Sequence, residues 1–249
     1  MAVDSHCHLQ DFPSKKRSEI LSSKEVYPIV TGYSFSSNKK AVDVSEEYNL
    51  AKVLGIAPQT VIKEKPDLEL WIEHIKKSRP NAIGEVGLDY KWATTPEQRE
   101  EQKEALSQFI DLAASMNKPL VIHCRDAYDD LIDMIQEHRY DGKLMMHSYF
   151  GTYEQAEKLS SLAETLFSIN TIRTKEKKKL LSFYDISHFV VETDSPYIAR
   201  DPREVKEAIT YIAAIKDMDF TTVEEQTAIN AASFFSIKRE DVLSYKFNL

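Results

Sequence analysis

The chain has 249 residues, 42% of them hydrophobic and 29% charged, with six glycines; this balance excludes a disordered or fibrous protein and describes an ordinary globular one. Its formal net charge of -8 argues against a surface that coats nucleic acid, which would be basic, yet leaves room for a nuclease whose positive charge comes from metal ions at the site. No apolar run approaches the ~20 residues a membrane helix needs, and ligand-type residues begin by His6, so neither a membrane span nor a secretion signal is expected and the cytoplasm is the default compartment.

Short apolar runs alternate with longer amphipathic segments. The runs Ala2 to Ser5, Val26 to Thr31, Ala51 to Ile56, Ala82 to Val86, Leu120 to His123, Leu144 to His147, Leu166 to Ile169 and Phe189 to Glu192 predict eight strands. Between them Leu68 to Lys77, Glu97 to Met116, Tyr128 to Glu137 and Arg203 to Lys216 carry apolar residues at helical spacing. Thr95-Pro96-Glu97-Gln98 and Asp201-Pro202-Arg203-Glu204 each supply an N-cap, a proline at the first helical position and a third side chain able to reach back; Thr152 with Gln155 is a further start. The Lys175 to Lys179 run is expected to be a solvated helix face over Leu180 and Leu181. Thr221 to Phe235 predicts a closing helix with Thr221 and Glu224 as its capping box.

Strands that alternate with helices imply parallel crossovers. An open doubly wound sheet often carries a glycine-rich phosphate loop after its first strand, whereas HCHLQDFP follows here. The expectation is therefore an α/β fold, a single-domain (β/α)8 TIM barrel over residues 1–249, close to the ~250 residues typical of one.

Chemistry-bearing residues stand at the C-terminal ends of five predicted strands: His6 and His8, Glu85, His123, His147 and Asp194. A barrel gathers its active site there. His6 and His8 share one strand face, so both imidazoles can reach one cation, with Asp194 completing that site. Glu85 has two oxygens, enough to bridge to a second cation held by His123 and His147. Two such ions activate a water and hold both oxygens of an in-line displacement, and Asp194 is the candidate to orient and deprotonate that water. Glu192, one pleat below Asp194, would either hold a ligand histidine by its second nitrogen or form an interior salt bridge. His74, His138 and His188 are expected to be structural. Cys7 and Cys124 each follow an inward-facing histidine, which points them outward as free buried thiols.

Around that cluster, Arg125 is placed to meet a phosphate bidentately. Arg173, Arg200 and Lys91 are further phosphate candidates, with surface solvation as the alternative. Tyr90, Trp92, Tyr149, Phe150 and Tyr197 follow the ligand strands; some could stack on bases, while others must pack the loops.

The motifs DSHCHL, GEVGLDY, HCRDA, HSYFG and ETDSPY, in that order, resemble the TatD family of metal-dependent deoxyribonucleases within the amidohydrolase-like barrels, and the resemblance extends to TVEEQTAINAASFF with Asn230. It implies His6, His8, Glu85, His123, His147 and Asp194 as metal ligands, with DNA as the substrate shortened from its 3′ end. No membrane and no obligate protein partner are implied. Two divalent ions are expected; four histidines with two carboxylates suit zinc or manganese at least as well as magnesium. Two departures bear on the substrate: HSYFG stands where the family usually has HCFSG, and only Ile198 to Arg200 separate ETDSPY from the Asp201-Pro202 cap, where many members have a longer loop.

Two competing readings remain. A metallo-deacylase or amidohydrolase cutting an ester or amide, such as an aminoacyl-tRNA, would use the same six ligands. Related small-molecule barrels often bridge their ions with a carboxylated lysine, but the fourth strand offers Glu85 and no lysine before Lys91. An inactive scaffold barrel would be marked by a lost ligand, and none is lost.

Overall fold

In the computed structural model, which describes residues 1–238, β1 (Ala2–Cys7) leads through α1 (Ser14–Ser23), β2 (Val26–Thr31) and α2 (Phe35–Tyr48) to β3 (Lys52–Leu54). Two helices, α3 (Pro58–Glu64) and α4 (Leu68–Ser78), precede β4 (Ala82–Asp89) and α5 (Pro96–Met116). The alternation continues with β5 (Leu120–Arg125), α6 (Tyr128–Glu137), β6 (Lys143–Met146) and α7 (Tyr153–Leu162). Then come β7 (Glu164–Ile169), α8 (Lys175–Phe183), β8 (Phe189–Val191), α9 (Val205–Lys216) and α10 (Phe220–Phe234).

The eight strands of the described residues pair in chain order, each neighbouring pair from β1·β2 to β7·β8 parallel. Parallel neighbours need a crossover rather than a hairpin, and the helices fill that role on the outside. Both strand faces are then covered, as the wholly buried β2 and β4 illustrate. The seam between the first and last strands closes at its upper end: Asp194 N–H donates to the His6 carbonyl at 2.9 Å and His8 N–H to the Ser195 carbonyl at 2.8 Å. The expected (β/α)8 TIM barrel is the fold observed.

Two strands carry an extra residue where the site begins. Against β2, β1 shifts register between Asp4 and Cys7, and against β5, β4 shifts between Ile83 and Val86. Such bulges re-aim side chains, here at His6 and Glu85. Gly87 has φ +146°, and a Cβ there would lie 1.9 Å from the His123 carbonyl oxygen. Only glycine lets β4 approach β5 this closely.

Local signals account for several helix starts. Thr95 with Gln98 and Thr152 with Gln155 form complete capping boxes on α5 and α7. Asp201 caps a short 3-10 turn by accepting from Arg203 N–H, and Glu204 reaches back to Arg200 N–H instead of the cap residue. Two expectations need correcting. The closing helix α10 starts at Phe220 after Asp219, placing Thr221 inside the helix, while Glu224 lies 3.3 Å from the N-terminal ammonium of Met1. Within the Lys175 to Lys179 run, Lys177 is buried in α8 beside Leu180 and Leu181. Its ammonium finds fixed acceptors there, so burial does not leave the charge unpaired.

Candidate metal centre

The barrel brings all six expected ligands to one place at the upper strand ends. His8 Nδ1–H donates to the Thr31 carbonyl at 2.8 Å, which turns Nε2 toward Asp194 Oδ1, 3.1 Å away. His6 Nε2 lies 3.6 Å from Glu85 Oε2 and 3.8 Å from Asp194 Oδ1. On the other side of Glu85, its Oε1 is 2.9 Å from His123 Nδ1. His147 stacks on His6 with ring centres 3.7 Å apart, and its Nε2 is 3.9 Å from Asp194 Oδ2. Glu192 meets His147 Nδ1 at 3.0 Å, the alternative in which it holds a ligand candidate by its second nitrogen.

These distances suit a shared cation. Two donors each ~2.0–2.2 Å from one ion lie roughly 3–4 Å from each other. His6 Nε2 is buried without a hydrogen-bond partner, and an ion between it, Glu85 and Asp194 would supply one. Two donor groups, His6–His8–Glu85 and Glu85–His123–His147, share Glu85. The residues therefore fit a divalent metal.

The electrostatics follow from burial opposed by close partners. Burial favours neutral imidazole, and at His6 it wins, helped by the neighbouring His147, so that pKa is lowered. At His123 burial is outweighed by Asp89 and Glu85, which hold it up to about 9. At His147 burial is outweighed by Glu192 and Asp194, which hold it up to about 10. Burial would raise Glu85, but His123 and His6 keep it well below the usual carboxylate range. Asp194 is lowered as well, since His8 and His147 outweigh its burial. A bound cation would take the place of the protons this cluster shares.

Two pockets open on the cluster and share His123, His147 and Asp194. The larger, about 850 Å³, is bounded by Tyr90, Arg125, Phe150 and Ile172. The smaller, about 500 Å³, is bounded by Tyr33, Gln59, Lys63 and Tyr197. Arg125 and Tyr90 thus line a pocket that opens on the cluster; the Tyr90 hydroxyl donates to Asp130, and the Arg99 guanidinium lies 4.5 Å from its ring centre.

Other expected contacts stand elsewhere. Tyr149 is fully buried, its hydroxyl donates to the Thr152 carbonyl at 2.6 Å, and Tyr128 and Phe167 pack edge-on to its ring. It packs the loop and has no face left for a base. Arg173 lies over the Tyr211 ring, 5.2 Å from its centre. Arg200 is exposed in the turn, its N–H bound by Glu204. Neither arginine lines the two pockets, and neither do Lys91 or Trp92. His138 pairs with Asp111 and Ser107, His74 packs on Phe35, and His188 faces the Thr165 carbonyl, all outside the cluster. Cys7 and Cys124 are free and buried.

The structure adds residues that the sequence reading passed over. Asp89 Oδ2 lies 3.0 Å from His123 Nε2, while its Oδ1 accepts from Lys91 and Trp92 N–H. Its place in the GLDY motif, four residues after Glu85 on the same strand, was the available signal. Buried Asp4 accepts from Thr193 N–H and from the Thr193 hydroxyl, fixing the residue before Asp194. Asp194 itself sits at φ 49°, a left-handed conformation that Asp adopts more readily than most residues. Tyr33, Gln59 and Lys63 gave no periodic signal.

The description "TatD related DNase" belongs to a family model that matches residues 3–236. An uncharacterized metal-dependent hydrolase of Methanocaldococcus jannaschii is 31% identical over 247 residues, covering 94% of this chain and 96% of its own. The human deoxyribonuclease TATDN3 is 31% identical over 260 residues, covering 94% of each. Among solved structures, a TatD family hydrolase from Entamoeba histolytica superposes with a TM-score of 0.84 at 17% identity, covering 95% of this chain and 98% of that one. The Escherichia coli TatD homologue YJJV gives 0.83 at 21% identity, covering 94% and 98%. At those identities the structures speak for the fold; the family match over nearly the whole described chain, joined by relatives that align almost end to end, places this chain in the TatD-related DNase family.

Proposed function

We propose that this protein is a metal-dependent phosphodiesterase that hydrolyses DNA, shortening it from the 3′ end. The observation that carries the reading is Glu85, whose two oxygens face different histidines, His6 at 3.6 Å and His123 at 2.9 Å. That is the arrangement a bridging carboxylate needs, with His6, His8 and Asp194 on one side and His123 and His147 on the other. Divalent ions held there would supply Lewis acidity and a more acidic water beside the scissile phosphate.

The chain's own groups do the rest. Asp194, kept ionised although buried, faces His8, His6 and His147 and takes the proton of the attacking water. Arg125 at the mouth of the larger pocket receives phosphate oxygens through its planar guanidinium. The DNA preference rests on the family resemblance and on the human relative named a deoxyribonuclease, and the 3′ polarity on the resemblance alone.

The test is to incubate metal-stripped protein with end-labelled single-stranded DNA, adding magnesium, manganese or zinc, beside an Asp194→Asn variant prepared identically. Metal-dependent shortening from the 3′ end, absent in the variant, is the expected result. Cleavage with no metal at all, or none with any metal, would overturn the reading. The second outcome would bring forward an ester or aminoacyl-tRNA substrate for the same residues.

A further inference from the structure

Phe150 is a large apolar side chain left 42% exposed at the edge of the larger pocket, on the loop that follows His147. The loop is not loosely held. Its neighbour Tyr149 is fully buried, and Phe150 N–H donates to the Tyr128 hydroxyl at 3.0 Å. Ser148 Oγ accepts from Asn170 Nδ2 at 2.6 Å. The backbone that carries the ring is therefore held in place at the pocket, which lowers the ordering cost of a contact there.

Behind the ring lies a buried ammonium. Lys177 Nζ stands 3.9 Å from the centre of the Phe150 ring, donates to Asn170 Oδ1 at 2.6 Å and to the Ile172 carbonyl at 3.1 Å, and is almost fully buried. Burial pulls its pKa down to about 8, which leaves it protonated at neutral pH. A cation against one face of a ring draws π density toward itself and leaves the opposite side electron-poor. Such a surface favours an electron-rich planar ring over an aliphatic chain. Phe150 shares its pocket with His123, His147, Asp194 and Arg125, so a planar group stacked there belongs to the same substrate as a phosphate at the metal centre.

We propose that Phe150, backed by the Lys177 ammonium, is the stacking wall for the nucleobase beside the scissile phosphodiester and sets the preference for that base. The inference rests on the phosphodiesterase reading and deepens it. Lys177 acts through Phe150 and is a positioning residue; Phe150 would touch the substrate.

The experiment uses short single-stranded oligodeoxynucleotides in which each residue in turn carries adenine, thymine or no base. Steady-state cleavage of each is measured for the metal-loaded wild type, Phe150→Ala, Phe150→Leu, Phe150→Trp and Lys177→Met. At one position next to the cut, Phe150→Ala and Phe150→Leu should raise KM roughly ten- to a hundred-fold for base-bearing substrates, the size of one base–aromatic stack. They should leave the base-free substrate unchanged. Phe150→Trp should restore the wild-type KM, and Lys177→Met should shrink the adenine-over-thymine ratio. Phe150 is exposed, so its variants keep the test valid if Lys177→Met fails to fold. Equal KM changes with and without the base, or none, in an enzyme that still cuts DNA would overturn the stacking wall alone. A wild type that cuts none of these substrates would overturn the phosphodiesterase reading, and the wall with it.

Discussion

His147 Nδ1 lies 3.0 Å from Glu192 Oε2, with the glutamate fully buried and the imidazole nearly so. A carboxylate in that position keeps the proton on Nδ1 and leaves Nε2, which faces Asp194 at 3.9 Å, free to act as a donor to a cation. Glu192→Gln should therefore lower metal affinity about 10- to 100-fold while the fold is retained. Calorimetric titration of the stripped protein with manganese or zinc, beside circular dichroism of the variant, checks this. Unchanged affinity would reduce the pair to an interior contact.

Metal should also stabilise the folded chain. The candidate ligands come from β1, β4, β5 and the ends of β6 and β8, so no unfolded chain presents them together. At a free ion concentration of about 100 Kd, linkage supplies roughly 2.7 kcal/mol, or a rise of about 5–10 °C in melting temperature for a chain of this length. Calorimetry with and without a chelator measures it. A melting temperature indifferent to every divalent ion would count against a site built for one.

Arg125 and Arg173 make opposite predictions. Arg125 lines the larger pocket beside His123, whereas Arg173 rests on Tyr211. Arg125→Ala should raise KM for DNA roughly ten- to a hundred-fold, the size expected for a hydrogen bond to a charged group, and Arg173→Ala should leave it within about two-fold. The reverse pattern would relocate the phosphate path.

Stability should depend on pH through Lys177. Burial, opposed by the charge of Glu192, lowers its folded pKa from 10.5 to about 8. Between those values the unfolded amine keeps a proton that the folded one has lost. At this group the unfolded state then binds more protons, and its contribution to stability rises with pH across that window, by at most roughly 3 kcal/mol at 1.36 kcal/mol per pH unit. His123 and His147, held up to about 9 and about 10, and the buried Cys7, Cys124, Tyr149 and Tyr128, whose pKa values are raised, act in the opposite direction, so the Lys177 contribution is read as a difference between wild type and Lys177→Met. Denaturant melts of the wild type and of Lys177→Met between pH 8 and 10 should show the wild type gaining stability relative to the variant as pH rises; identical slopes would refute the assignment.

Gly87→Ala should be among the more damaging single-atom changes in β4. The added Cβ would meet the His123 carbonyl at 1.9 Å, and φ +146° is strained for any L side chain. A loss of roughly 3 kcal/mol or more is expected, together with weakened metal binding because β5 carries His123. A variant with wild-type melting and metal affinity would show that β5 can move aside.

Much of this protein is determined by its sequence because the relevant signals are local or periodic. Apolar runs that alternate with helical spacing specify β strands and crossovers, and complete capping boxes at Thr95–Gln98 and Thr152–Gln155 mark two helix starts. The six ligand candidates were legible for a related reason: a parallel barrel sends every strand's C-terminal end to one rim, so position along a strand translates directly into position in space. Thr221 shows the limit of local signals, since Glu224 is drawn instead to the N-terminal ammonium, 223 residues away in the chain.

What only the tertiary structure decided is which side of a loop or helix meets a neighbour. Tyr149 and Phe150 are adjacent and both aromatic, yet one is buried against Tyr128 and Phe167 and the other faces the pocket. Lys177 sits in a run of similar lysines and alone turns inward, because Asn170 and the Ile172 carbonyl, brought in by the end of β7, offer its ammonium acceptors. Asp89 became visible as a partner of His123 only when β4 and β5 were in register. Contacts between elements depend on packing geometry that no local pattern encodes, so the sequence determined the barrel and its rim of candidate ligands, and the folded chain decided what surrounds that rim.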